Sequence, residues 1–159
     1  MISREDCVEQ SVFDYAKDAI RGRGYPESQV ELLESFPYRM SDAQFTRTLV
    51  AAGFNFDDDG KPAELGSDLK VRQYHVQFFV FGMTATYGRN LANVLKFAME
   101  RDGQIPLKNV AVDGDPVIDY LEVLGVSAER QIVPDPEPWQ EFVWTTTLRV
   151  EDVYSAGLA

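Results

Sequence analysis

Two neighbouring segments in the middle of the chain alternate between apolar and polar residues. Residues 70–82 show this period of two and residues 45–56 show a mixed form of it, in a composition rich in β-branched and aromatic side chains that is typical of strands. The second segment has one wholly apolar face, made of Tyr74, Val76, Phe78 and Val80. The acidic stretch 57–62 joins the two segments. The pattern predicts a long hairpin, which either projects beyond the core or curls back over the chain's own helices, because both strands exceed the usual length.

Amphipathic helices are predicted on both sides of this hairpin. In residues 8–20 apolar side chains recur every three or four positions, which is the period of one helix face. Ser3 followed by Asp6 resembles an N-terminal cap, and two glycines follow the segment. A second helical pattern runs from Gly88 to Gly103, and a glycine at that end is a frequent helix stop.

The other extended segments are shorter or less regular. They comprise residues 30–36, 105–112, 117–123 and 142–151. Residues 113–116 predict a turn, and the prolines at 134, 136 and 138 predict an extended connector with few hydrogen bonds. The order helix, hairpin, helix and strands predicts an α+β fold, in which an N-terminal and a central helix flank a largely antiparallel or mixed sheet. At this length we expect one domain, residues 1–159.

Charge narrows the range of partners. The net charge of −11 argues against a protein that neutralises the phosphates of a nucleic acid. Residues 113–159 carry ten acidic and two basic side chains, whereas residues 89–112 carry two acidic and four basic ones. This asymmetry suits a subunit that contacts its own copies through complementary patches. It equally suits an acidic segment that only favours solubility. No apolar run approaches the roughly 18 residues of a membrane span, so we expect no membrane contact.

Candidate chemistry is sparse. Cys7 is the only cysteine and His75 the only histidine, so we expect neither an internal disulfide nor a zinc site of Cys and His ligands. We expect a buried Cys7 thiol, in a chain that folds in a reducing cytoplasm, and a surface or interface role for His75. Residues 55–60 place oxygen atoms as a calcium loop does, but Gly66 stands where such a loop needs a bidentate glutamate. A hairpin turn explains this acidic stretch better.

Three aspartates form the one cluster with catalytic potential, because grouped carboxylates can bind a divalent metal or transfer protons. They are Asp113, Asp115 and Asp119. A turn rich in aspartate explains them more simply. The sequence contains no phosphate-binding loop, dinucleotide fingerprint or nucleophile motif. We therefore expect a protein that is not an enzyme and has no catalytic residue, metal or cofactor. An acidic metal-dependent enzyme that uses these aspartates is the alternative from another class.

Glycines and aromatic residues mark a recognisable outline in residues 45–154, about two-thirds of the chain. Its landmarks are GFNFDDDGK at 53–61, ELGSDLK at 64–70, YGRNLA at 87–92, IPL at 105–107 and Trp139 before the last strand. This outline resembles the tail terminator proteins of siphovirus-type bacteriophages, whose tails are long and non-contractile.

The resemblance implies a structural virion protein of the tail or neck, assembled in the host cytoplasm. Such proteins close into a ring, expected here to be a hexamer. In that family the ring binds the tail tube protein at the last layer of the tube, which it caps, and so halts tube growth. It also joins the tube to the head-side connector or stopper protein. DNA passes through the lumen without specific binding. Another neck component, either a head-completion stopper or a tail tube subunit, is the alternative within the same class.

The loop 57–68 is the predicted partner contact, because loops on a rigid sheet frequently carry binding function. Its charged residues are the candidates: Asp57, Asp58, Asp59, Lys61, Glu64 and Asp68. The resemblance adds no residue to this set, since contacts in the family vary too much to be transferred position by position.

Overall fold

The computed structural model describes residues 2–34, 45–56, 61–62 and 69–155. The elements within these ranges are α1 (Arg4–Gly22), β1 (Val30–Leu33), β2 (Thr48–Phe56), β3 (Lys61–Pro62), β4 (Leu69–Phe81), α2 (Ala85–Asp102), β5 (Gln104–Lys108), β6 (Val117–Gln131), a 3-10 helix (Pro138–Gln140) and β7 (Val143–Ser155). The predicted α+β class is confirmed, because these strands form one mixed sheet and both helices join its core.

Helix α1 begins where the sequence predicts it. The Ser3 hydroxyl accepts a hydrogen bond from the Asp6 N–H at 3.1 Å, and the Asp6 carboxylate accepts one from the Ser3 N–H at 3.0 Å. This reciprocal capping satisfies two N–H groups at the start of the helix. The buried face of α1 comprises Cys7, Val8, Ser11, Val12, Phe13, Ala16 and Ile20. The expected burial of the Cys7 thiol is therefore confirmed.

Helix α2 begins three residues before Gly88, earlier than predicted. The Thr84 hydroxyl caps it by accepting a hydrogen bond from the Tyr87 N–H at 3.1 Å. The sequence hides this start because Gly88, a poor helix former, lies in the first turn. Gly103 ends the helix as predicted: its φ of 67° is left-handed, and its N–H donates to the Met99 carbonyl at 3.0 Å.

Tyr15 links the two helices. Its hydroxyl lies within hydrogen-bond distance of the Asp102 carboxylate and 2.9 Å from the Ala98 carbonyl oxygen. Burial, followed by the hydrogen bond to Asp102, raises the pKa of this hydroxyl, so it stays protonated and donates. We expect Tyr15→Phe to lower the free energy of unfolding by about 1–2 kcal/mol, because the hydrogen bond that joins the two helices is lost. Urea denaturation measures the change, and an unaltered midpoint would show that this link contributes nothing.

The predicted hairpin forms the centre of the sheet. The strand order is β1-β2-β4-β7-β6-β5, with β3 beside β4, and only the β1–β2 pair is parallel. β2 pairs with residues 74–81 of β4, while β7 pairs with β4 along its whole length, residues 69–81. The described strands of the hairpin, residues 48–56 and 69–81, therefore do not form a free arm that projects from the core. Of the two arrangements left open by the sequence, these strands pack over the chain's own helices.

One face of the sheet is covered by both helices. The large side chains of this core include Tyr74 and Phe78 of β4, Leu91, Leu95 and Met99 of α2, and Leu148 of β7. The opposite face is covered at one end, where the 3-10 helix places Trp139 against Phe81 with ring centroids 5.4 Å apart. The rest of this opposite face carries exposed and half-exposed polar side chains. We call the face of the sheet that lies opposite the two helices the open face.

Strand β5 is shorter than the predicted strand 105–112. It ends at Lys108, and a turn follows because the Asn109 side chain accepts a hydrogen bond from the Ala111 N–H at 3.1 Å. Asparagine favours such turns because its side chain can bond to the backbone two residues further on. The turn predicted at 113–116 is confirmed, with Asp115 at a φ of 45°.

Strand β6 is much longer than the predicted segment 117–123, since it runs to Gln131. Its pairing with β7 shifts register between Val123 and Gly125, which marks a bulge at Leu124. A bulge inserts one extra residue and reverses the alternation beyond it, so the period-two pattern breaks although the strand continues.

The proline-rich connector and the first strand also differ from their predictions. Pro138 opens the 3-10 helix, so the connector is not extended throughout. Proline at the first position of a helix is favourable because its missing N–H would have no partner there. The segment 30–36 contributes the four-residue strand β1, and its last two positions lie outside the described residues. The final strand is confirmed and runs slightly further, to Ser155.

Candidate assembly surfaces

The predicted contact loop lies almost wholly outside the described residues. Asp57, Asp58, Asp59, Glu64 and Asp68 belong to the ranges 57–60 and 63–68, of which the structure gives no description. Lys61 is placed only by its backbone, which pairs in β3 with Val71 of β4. The contact role of these six residues therefore stays a prediction. What the structure does describe is the end of the sheet from which the loop departs.

A buried ion pair fixes α1 to that end of the sheet. Arg4 donates to both carboxylate oxygens of Asp152 on β7, at 2.7 and 2.9 Å, and Asp152 is only 1% exposed. The same guanidinium reaches Asp119 of β6 at 3.4 Å. The hydrogen bonds to Asp152 are the main cause that raises the pKa of Arg4 above its usual value. The pairing of β6 with β7 ends at Glu122 and Glu151. Arg4 therefore connects the two strands beyond the end of their pairing.

A second ion pair lies beside the first. Arg72 of β4 contacts the Glu5 carboxylate of α1. Both cations lie over the Tyr154 ring, with the Arg4 Cζ 5.1 Å and the Arg72 Cζ 5.9 Å from its centroid. Burial raises the pKa of the neighbouring Tyr74 to about 12, so this hydroxyl is neutral at physiological pH. The strand that carries the acidic loop is therefore anchored to the N-terminal helix by charge-assisted contacts.

The open face is polar in its centre. Because Tyr74 and Val76 point into the core, the alternating residues Gln73, His75 and Gln77 of β4 lie on the open face. His75 is half-buried between its register partners Asn55 of β2 and Arg149 of β7. The expectation that His75 is a surface residue is confirmed, and its role at an interface stays a prediction.

Large apolar side chains are exposed on the first half of β6. Ile118 and Tyr120 are 50% and 56% exposed. Tyr120 shares the open face with Glu122, whose register partner is Glu151, and Ile118 lies two residues earlier, at an irregularity in the pairing of β5 with β6. Pro106 of β5 lies opposite Tyr120. We call Pro106, Ile118, Tyr120 and Glu122 the β6 patch. Exposed apolar residues in one place are typical of an interaction site, whereas scattered ones are ordinary.

A second exposed surface lies on α2. Arg89, Asn93, Phe97 and Arg101 recur at every fourth residue, so they form one stripe along the helix. Phe97 is 55% exposed, and the Arg101 side chain is 64% exposed. We call these four residues the α2 patch. Its position was readable from the sequence, since Phe97 lies off the apolar stripe formed by Leu91, Leu95 and Met99.

The three aspartates of the alternative catalytic reading are separated. Asp113 and Asp115 lie in the turn before β6, while Asp119 lies on β6 and faces Arg4. Among the residues that the structure describes, no group of three or more His, Cys, Asp or Glu side chains could hold a metal ion. The arrangement therefore does not bring these carboxylates together as the metal-dependent alternative requires.

Comparison with known proteins leaves the family open. No protein-family model matches the sequence, and no curated protein matches it significantly. In the described ranges, neither helix has the length and apolar character needed to cross a membrane.

Proposed function

We propose that this protein is a structural subunit that assembles into a ring, expected to be a hexamer, and acts as the tail terminator of a siphovirus-type bacteriophage. In this role it caps the tail tube and joins it to the head-side connector. The single observation that carries the self-association is the β6 patch, where Ile118 and Tyr120, two residues apart on one strand, are each about half exposed. A soluble monomer gains nothing from that exposure, whereas an interface buries it.

Two further features support the proposal. The α+β architecture, with an N-terminal and a central helix on one face of a mixed sheet, is compatible with the resemblance to tail terminators. The net charge of −11 suits a channel through which DNA slides, since acidic walls repel phosphates. The tail role itself depends on the residue outline in the sequence, and the structure is compatible with it.

The direct test is to image the purified protein and to add it to tail tubes. Sedimentation and negative-stain microscopy are expected to show rings, or rings that form on tube ends. Binding to tube ends supports a terminator, binding to the connector face supports a stopper, and self-polymerised tubes support a tail tube subunit. A protein that stays monomeric and binds none of these would overturn the proposal.

The acidic loop provides a more specific prediction. We expect replacement of Asp57, Asp58 and Asp59 by serine to leave the fold intact and to weaken assembly, because the loop loses its charge at a predicted contact. Thermal melting checks the fold, and counting of capped tube ends checks assembly. A variant with serine at the exposed positions Asp18, Glu27 and Glu141 is the matched control, since it changes the net charge equally. Equal capping by both variants would remove the loop from the proposal.

A further inference from the structure

We propose that the β6 patch of one subunit binds the α2 patch of a second copy of this chain, and that repetition of this contact closes the ring. The inference rests on the self-association proposed above and adds the two surfaces that form the contact. The two patches share no residue, so each can be altered separately.

The two patches point in opposite directions. Helix α2 packs against the core face of the sheet through Leu91, Leu95 and Met99, so its stripe around Phe97 faces away from the sheet. The β6 patch lies on the other side, on the open face. One subunit therefore cannot bring its own patches together. A contact between them joins two copies head to tail, and such a contact produces rings when its rotation closes.

The chemistry of the two patches is complementary. Each has an exposed aromatic ring in its centre, Phe97 at 55% and Tyr120 at 56%. Aromatic residues and arginine supply much of the binding energy of protein interfaces. The α2 patch carries Arg89 and Arg101, of which Arg101 also pairs with its neighbour Asp102 at 2.9 Å. The β6 patch carries Glu122, and the acidic turn with Asp113 and Asp115 precedes its strand.

The opposite signs favour a second copy as the occupant of each patch. Arginine on one surface and carboxylates on the other attract each other between copies, whereas two β6 patches or two α2 patches would bring like charges together. A symmetric dimer that uses either patch twice is therefore disfavoured. The sequence around each patch has the same signs: acidic residues outnumber basic ones ten to two in residues 113–159, and basic residues outnumber acidic ones four to two in residues 89–112.

Two single variants and their mixture test the inference. Phe97→Glu removes the α2 patch but keeps the β6 patch, and Tyr120→Glu does the reverse. We expect each variant alone to associate about 30-fold more weakly than the wild type, the effect of losing one central interface residue. An equimolar mixture is expected to form a 1:1 heterodimer and no ring, because only one competent contact remains per pair. Sedimentation velocity distinguishes these species from the 18.0 kDa monomer.

Ile132→Glu is the matched control, since Ile132 is 89% exposed and lies outside both patches. It is expected to associate like the wild type. A wild-type monomer at every concentration, a single variant that still forms rings, or a mixture that stays monomeric would each overturn the inference. Rings that form through these patches without capping tubes would refute the tail role only. Capping by both single variants would refute the interface only.

Discussion

Replacing Arg4 by alanine is expected to lower the free energy of unfolding by about 3–5 kcal/mol, because it leaves a buried carboxylate without its cation. Asp152 is 1% exposed and receives two hydrogen bonds from Arg4, at 2.7 and 2.9 Å. In the variant that charge stays buried, and the contact with the Tyr154 ring is also lost. Denaturant titration at neutral pH, followed by circular dichroism, measures the loss.

A double-mutant cycle separates the pairing from other effects. We expect Asp152→Ala combined with Arg4→Ala to cost less than the sum of the two single changes, because the second change removes the charge that the first one stranded. Lys96→Ala is the comparison variant: its contact with Glu100 is a surface pair of 3.9 Å, and its removal is expected to cost about 0.5 kcal/mol or less. Equal costs for Arg4→Ala and Lys96→Ala would contradict the importance of the buried pair.

The same pair explains why α1 and the start of β4 are expected to respond together. Arg4 and Glu5 are consecutive residues in the first turn of α1, and they contact β7 and β4 respectively. Loss of the Arg4 contact therefore loosens the strand end from which the acidic loop departs. Hydrogen exchange is expected to accelerate in residues 69–72 and 152–155 before it does so in the centre of the sheet.

The helices and strands were predictable where apolar residues recur along the segment with a single, unbroken period. The alternation in β4 is visible because Tyr74, Val76 and Phe78 enter the core while their neighbours do not. The length of β6 was not predictable, because the bulge at Leu124 breaks the alternation in the middle of a continuous strand. The end of β5 depends on one side-chain hydrogen bond, from the Ala111 N–H to Asn109, which a hydrophobic pattern does not encode.

The surfaces were less predictable than the fold. A hydrophobic residue in a strand pattern is ordinarily assigned to the core, and whether Tyr120 is buried depends on which elements cover it in three dimensions. Phe97 is an exception that the sequence analysis missed, since its position off the apolar stripe of the helix is a signal of exposure. The Arg4–Asp152 pair joins residues 148 positions apart, so no local pattern could reveal it. The acidic loop was conspicuous in the sequence for the opposite reason, because its charges are contiguous.

The second large effect is expected from Gly82→Ala, at the junction between β4 and α2. A Cβ atom at this position would lie 2.8 Å from the Gly88 Cα and 2.8 Å from the Thr84 carbonyl oxygen. Both neighbours are backbone atoms in the first turn of α2, so no side-chain rotation relieves the overlap. We expect a loss of about 3 kcal/mol, the upper end of what overpacking costs, because the helix must shift as a unit.

Gly22→Ala is the matched control for this substitution. Apart from its chain neighbours and the backbone of its own helix, no described heavy atom lies within 4 Å of a Cβ built at Gly22, which is the last residue of α1. Alanine there is expected to stabilise the protein by about 0.5–1 kcal/mol, because it restricts the unfolded chain and favours the helix. Opposite changes in the melting temperature of the two variants are therefore expected. Equal changes would mean that α2 can move away from β4 at little cost, and that its exposed stripe is not held at a fixed distance from the sheet.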